Sequence, residues 1–193
     1  MDLFAKFGRN NNMNFLSPLF SSAVVTGMIF SQTVSAASPV TERAWYVIND
    51  GVMGGLSHSQ VDIHENTLIF KGHVSLENNG GFASIRTIMT AIPGSSQIQL
   101  TLRGDGKAYQ LRLRTTESFD GPAFVHEFTP PKGEWQTFTV EASDFHLQYR
   151  GRKLQSDRQL KLTDVKQIGF LIAGKQQGDF TLHIKSLRFL SSI

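Results

Sequence analysis

The chain holds no cysteine at any of its 193 positions. That removes disulfides, a thiolate zinc site, a cysteine nucleophile and a lipid-anchoring cysteine from consideration. It leaves the compartment open, because a protein without thiols suits oxidising and reducing surroundings alike. Charge is scarce too: charged residues make up 18 %, and the formal net charge is +3. Setting residues 1–36 aside leaves 17 basic and 15 acidic groups. Nucleic acid is therefore not expected as a partner, since such interfaces need a concentrated basic patch. Helical periodicity is weak beyond residue 40, and no internal repeat or long linker interrupts that stretch. The six histidines (His58, His64, His73, His126, His146 and His183) form no HExxH or other close ligand spacing. No metal and no cofactor are expected on that basis.

Alternation with period two is abundant, and it marks strands with one buried face. Leu68, Phe70, Gly72, Val74 and Leu76 share one side, against Lys71, His73 and Ser75. Ile98, Leu100 and Leu102 alternate with Gln99, Thr101 and Arg103. Tyr109, Leu111 and Leu113 alternate with Gln110, Arg112 and Arg114. Phe180, Leu182 and Ile184 continue into Leu187 and Phe189 with a phase slip, which a bulge near Lys185-Ser186 explains. The run from Ile168 to Ala173 is almost wholly apolar and reads as a strand buried on both faces. Single helical turns are expected at Ser143-Asp144-Phe145 and Thr163-Asp164. About ten short strands with little helix predict an all-β fold, a jelly-roll β-sandwich. Its 15 Phe supply a sizeable core.

The first segment reads differently. Lys6 and Arg9 precede an apolar stretch from Phe15 to Phe30, and Val34-Ser35-Ala36 offers small residues before Ala37. Basic start, apolar middle and small-residue cut site predict a signal peptide over 1–36, a short linker over 37–43 and one domain over 44–190. Cleavage would leave an exported protein with no stable membrane span. The alternatives are an anchor retained through residues 15–34 and an organellar transit segment.

Several residues are candidates for function. Asp50-Gly51-Val52-Met53-Gly54-Gly55 first suggests a nucleotide loop, but no GKS or GKT follows, and residues 59–64 read as a strand. A tight turn that needs glycine is the better reading. Gly104-Asp105-Gly106-Lys107 suits a hairpin between its flanking strands. That pairing would place Arg103, Gln110, Arg112 and Arg114 on one partly exposed face, where guanidinium forks could take carboxylates or planar polar groups. Trp45 and Trp135 are assigned to the core. Asp50, Asp105, Glu117 and Asp120 fall in loops, which leaves a glycosidase-like carboxylate pair open.

Taken in order, the motifs resemble those of the complex I intermediate-associated protein 30 family. Trp45 is followed by Asp50, Val52, Met53, Gly54, Gly55 and Ser57; a second block runs Asn79-Gly80-Gly81-Phe82-Ala83-Ser84-Ile85-Arg86. Gly104-Asp105-Gly106 with Tyr109, Trp135-Gln136, Tyr149-Arg150-Gly151-Arg152 and Gln167-Ile168-Gly169-Phe170 complete the resemblance across residues 44–190. It implies a galactose-binding-like jelly roll without established catalytic residues. It also implies a part in assembling respiratory complex I in mitochondria, or less defined roles in bacteria and plastids. The expected function is thus non-enzymatic binding of a protein partner. The alternatives are an exported carbohydrate- or small-ligand-binding module and a hydrolase. An exposed apolar patch would favour the protein-partner reading, a concave polar face with exposed Trp or Tyr the carbohydrate module, and a cleft with two facing carboxylates the hydrolase.

Overall fold

The computed structural model describes residues 39–90 and 92–191. The signal-peptide reading of residues 1–36 lies outside them. Among the described residues, twelve antiparallel strands build two sheets. They are β1 (Tyr46–Val47), β2 (His58–His64), β3 (Thr67–Val74), β4 (Ala83–Ile88), β5 (Ser95–Arg103) and β6 (Tyr109–Arg114), then β7 (Ala123–Phe128), β8 (Gln136–Glu141), β9 (His146–Tyr149), β10 (Arg152–Lys153), β11 (Gln167–Ile172) and β12 (Gly178–Ser191). The expectation of about ten strands is exceeded only by β1 and β10, which are two residues long. The seven-stranded sheet runs β1-β4-β11-β6-β7-β9-β10; the five-stranded sheet runs β2-β3-β12-β5-β8. Among the described residues, helix is limited to single 3-10 turns, including Ala142–Asp144 and Leu162–Asp164 where one turn each was expected. No described helix is long and apolar enough to cross a membrane.

The alternating residues do what period two dictates. Leu68, Phe70, Ile98, Leu100, Leu102, Leu111, Leu113, Leu182 and Ile184 are wholly buried between the sheets, and Phe70, Phe180, Tyr109, Phe128 and Phe170 link ring to ring across the core. Burying each such side chain contributes about 1.5–3 kcal/mol. β11 is buried at every position but Leu171, as its apolar run predicts. The register of β12 against β5 slips between Ile184 and Ser186, so the bulge lies where the phase changes.

The hairpin at Gly104–Lys107 does not form. β5 pairs with β12 and β8, whereas β6 pairs with β11 and β7. The segment instead carries the chain from one sheet to the other. Both edges of β5 are taken by strands distant in sequence, so a turn that would permit local pairing is used for a crossover. Gly106 takes φ +86°, and Gly104 bridges to Lys132. As a result Arg103 lies on the outer face of one sheet and Gln110, Arg112 and Arg114 on the outer face of the other. The single basic surface expected from the sequence is two surfaces.

Candidate functional site

Asp50 is the first polar centre. Its side chain is fully buried at the head of the 3-10 turn Asp50–Met53. Oδ1 accepts the Ser57 N–H at 3.0 Å, and Oδ2 accepts the Ser57 hydroxyl, the Gly81 N–H at 2.6 Å and the Phe82 N–H at 3.2 Å. Burial alone would raise the carboxyl pKa, but these four donors outweigh it and hold the value below the ordinary range. Asn78 Nδ2 donates to the Gly54 carbonyl at 3.2 Å, tying the two loops again. Two sequence blocks that read separately, 50–57 and 79–86, are therefore one structure closed on one carboxylate. Its glycines serve different ends. Gly54 takes φ +87°, while a Cβ on Gly55 would collide with the Asp50 carboxyl, and one on Gly80 would stand 2.7 Å from Oδ2. Asn79 takes φ +58° within the same turn. The loop so braced leaves Val52, Met53 and Leu56 in solvent at 75 %, 66 % and 52 % exposure.

The second centre is the outer face of the seven-stranded sheet. Gly169 on β11 is paired with Arg86 of β4 on one side and Arg112 of β6 on the other; Gln167 is likewise paired with Arg114. Three guanidiniums thus share one patch. Arg86 and Arg114 are only 8 % and 7 % exposed. For Arg114 this corrects the expectation of a partly exposed side chain. The 115–122 segment and its neighbours cover the patch: Arg86 Nη1 donates to the Phe119 carbonyl at 2.9 Å, and Gln167 Nε2 donates to the carbonyls of Thr116 and Ser118. Arg112 Nη1 donates to Gln110 Oε1 and Gln148 Oε1, both at 2.8 Å. The Arg114 backbone carbonyl accepts the Lys166 N–H at 2.8 Å, but its side-chain Nε is buried without a partner. Desolvation, followed by repulsion from Arg86, pulls the Arg112 pKa to about 10; for Arg114 desolvation and both neighbours pull it to about 9. Both remain cations at neutral pH. Beside them Tyr46 and Phe119 meet edge to face at 6.3 Å, each about half exposed, with the Arg86 guanidinium 5.4 Å from the Phe119 ring.

Arg103 belongs to neither centre. It lies on the five-stranded sheet, its guanidinium 5.0 Å over the ring of Trp135 and its Nη2 3.3 Å from His183 Nδ1; Lys185 Nζ approaches the same ring at 5.7 Å. Trp135 is 41 % exposed, which corrects its assignment to the core. Its ring caps cations rather than filling the interior. Trp45 does pack inward: its indole N–H donates to the Val40 carbonyl at 2.8 Å, and the ring sits 6.0 Å from Phe170.

The remaining candidates hold loops. Asp105 accepts from the Tyr109 hydroxyl, the Lys107 N–H and the Thr181 N–H, binding the crossover to β12. Burial and then Asp105 push the Tyr109 phenol well above its ordinary pKa. Arg150, at φ +47°, pairs with Asp120 at 3.0 Å, and Arg152 is exposed on β10. The loop carboxylates Asp50, Asp105 and Asp120 are thus each engaged by the fold itself. No group of three or more His, Cys, Asp or Glu side chains gathers among the described residues. Gln148 and Phe119 do not stand out in the sequence, and Gln167 enters only as the head of the Gln167–Phe170 motif block, with no role assigned to it. Gln167 carried a signal, as the polar head of an otherwise apolar strand; Gln148 and Phe119 carried none.

The motif loops and the sandwich agree with the comparisons to known proteins. The family model of complex I intermediate-associated protein 30 matches residues 33–184. The chain belongs to this family. Relatives called probable mitochondrial complex I intermediate-associated protein 30 occur in Caenorhabditis elegans and Caenorhabditis briggsae. Each is 26 % identical over 147 residues, covering 65 % of this chain and 43 % of the relative. The chain thus spans less than half the length of the curated relatives it matches. Among solved structures, a family 11 carbohydrate-binding module from Clostridium thermocellum, in complex with a β-1,3-1,4-mixed-linked tetrasaccharide, covers 84 % of this chain and 96 % of its own, with TM-score 0.54 and 13 % identity. The same module type from cellulase Lic26A-Cel5E covers 84 % and 95 %, with TM-score 0.57 and 12 % identity. At such identities the likeness is one of fold. For this member of the family it places the jelly roll beyond the reach of sequence identity alone.

Proposed function

We propose that this chain is a non-catalytic binding protein of the assembly-factor kind, acting on a protein partner during the building of respiratory complex I. The observation that carries the reading is the Asp50 loop. A buried carboxylate with four donors fixes a turn whose Val52, Met53 and Leu56 stand in solvent. Holding apolar side chains out of the core is unfavourable unless something covers them. Preorganising them on a rigid turn lowers the entropy lost when a partner docks. The mitochondrial names of the nematode relatives support an organellar setting over export.

The test is crosslinking of the full chain in its native compartment, followed by identification of what is joined to it. Complex I subunits or assembly intermediates are expected with the wild type. The variant Val52→Ser/Met53→Ser/Leu56→Ser should lose them while melting within about 0.5 kcal/mol of wild type, as exposed substitutions do. Crosslinks to complex I proteins that survive in this variant would move the contact elsewhere. Their absence from the wild type would end the assembly reading. The carbohydrate alternative draws support from the exposed Tyr46 and Phe119 beside Arg86, since sugar rings stack on such faces. Titration with β-glucan oligosaccharides separates it.

A further inference from the structure

The three arginines of the seven-stranded sheet have a counter-charge missing. Arg86 and Arg114 are more than nine-tenths buried, so water screens them poorly. Among the described residues none of the three forms an ion pair with a carboxylate. The acid that acts on Arg114 at all is Asp120, and its carboxylate is committed to Arg150. The carbonyls nearby are used as well: Phe119 by Arg86, Thr116 and Ser118 by Gln167. Arg114 Nε is left without an acceptor. A buried donor with no partner costs about 1–3 kcal/mol, and more on a charged group. A solvated sheet face does not explain such an arrangement, because the two arginines in question are not solvated.

The backbone leaves room for what is missing. Gly169 sits in the row between Arg86 and Arg112 and puts no side chain above β11. A Cβ there would stand 2.5 Å from the Ile85 carbonyl, so glycine is needed and the gap is built in. Strands two apart lie roughly 10 Å from each other, a span that two arginine side chains reaching inward can close on a small anion. Arg112, only half-buried, gives the approach from solvent.

We propose that Arg86, Arg112 and Arg114 form a binding site for a phosphomonoester group. Charge and shape select it. A carboxylate brings one charge and two oxygens, whereas a phosphomonoester brings close to two charges and three terminal oxygens. Three guanidiniums converging from two strands match the second better, and guanidinium forks pair well with phosphate oxygens. The site uses no residue of the Val52–Leu56 loop and does not depend on the identity of the protein partner.

The test uses the full chain with inorganic phosphate, by calorimetric titration and thermal melting at constant ionic strength. Phosphate should bind with one-to-one stoichiometry and raise the melting temperature; chloride and acetate should not. Arg114→Gln and, separately, Arg112→Gln should weaken phosphate at least about tenfold, the loss of one charged hydrogen bond. Arg188→Gln, an exposed arginine on the other sheet, should bind as wild type. Without phosphate, Arg114→Gln should melt no lower than wild type, because it removes a cation that nothing compensates. A purely structural arginine would do the opposite. Glycerol phosphate and a phosphoserine peptide with its unmodified control then distinguish the carrier: tighter peptide binding assigns the group to a modified protein, the reverse to a small molecule. Phosphate that binds no better than chloride, or equally well to Arg114→Gln, overturns the proposal.

Discussion

Asp50 and Arg114 are both ionised, both nearly shut off from water, and opposite in every other respect. The carboxylate is met by four donors; the guanidinium Nε meets no acceptor. Two sequence blocks converge to satisfy the first, and the sheet brings two further cations beside the second. Burying a charge is costly unless hydrogen bonds replace its hydration. Where they are supplied in full, as at Asp50, the group stabilises the fold. Where they are withheld, as at Arg114, the fold carries a cost that only a ligand relieves. The contrast separates a structural centre from a binding centre without reference to any relative.

The comparison breaks most readily at Asp50. Replacement by Ala should strand the Ser57, Gly81 and Phe82 donors together and cost on the order of 4 kcal/mol in denaturant melts. A loss below about 1 kcal/mol would show that the loops rely on other contacts. Gly55→Val should come next, at roughly 3 kcal/mol, because the new Cβ collides with the same carboxylate. Gly54→Ala should cost less, about 1–2 kcal/mol, since space is open there and only the left-handed φ resists. A pH series sharpens the same point. The folded pKa of Asp50 lies below its unfolded value near 3.9, so its contribution is complete above that pH and fades as pH falls through the folded value. Asp50→Asn should lack this acid-side loss, and melts at pH 2–5 would reveal it. Smallest of all, Arg114→Gln should leave stability level or slightly raised, the counterpart of the Asp50 result.

Strand positions were legible because period two needs only neighbours along the chain. Even the slip at Lys185-Ser186 could be read from Ile184 and Leu187 falling out of phase. Sheet membership could not. Gly104-Asp105-Gly106-Lys107 has the composition of a hairpin turn, and what denies it that role is β12 and β8 flanking β5, from about 85 and 40 residues away. The arginines show the same limit. Arg112 and Arg114 stand in phase with polar Gln110, which marks them as outward but not as exposed. Whether an outward side chain meets water depends on what crosses over it. Here that is the 115–122 segment, whose own residues give no sign of it. The joining of the Asp50 and Gly80 motifs was equally hidden, since a 31-residue separation carries no period.

The order in which strands lie differs sharply from the order in which they are made. β11 stands between β4 and β6, and β12 between β3 and β5. During synthesis, then, every earlier strand emerges before either sheet has its middle. Until residue 167 leaves the ribosome, β4 and β6 have no neighbour on the sides that face each other. β3 and β5 wait longer, until residues 178–191 arrive. Unpaired strand edges recruit other chains, and pairings across such sequence distances form slowly. A nascent or truncated chain lacking β12 is thus expected to aggregate rather than to fold into a smaller sandwich. Termination before residue 178 should send the product to the insoluble fraction, and a chaperone that holds β3 and β5 apart would be its natural companion during translation.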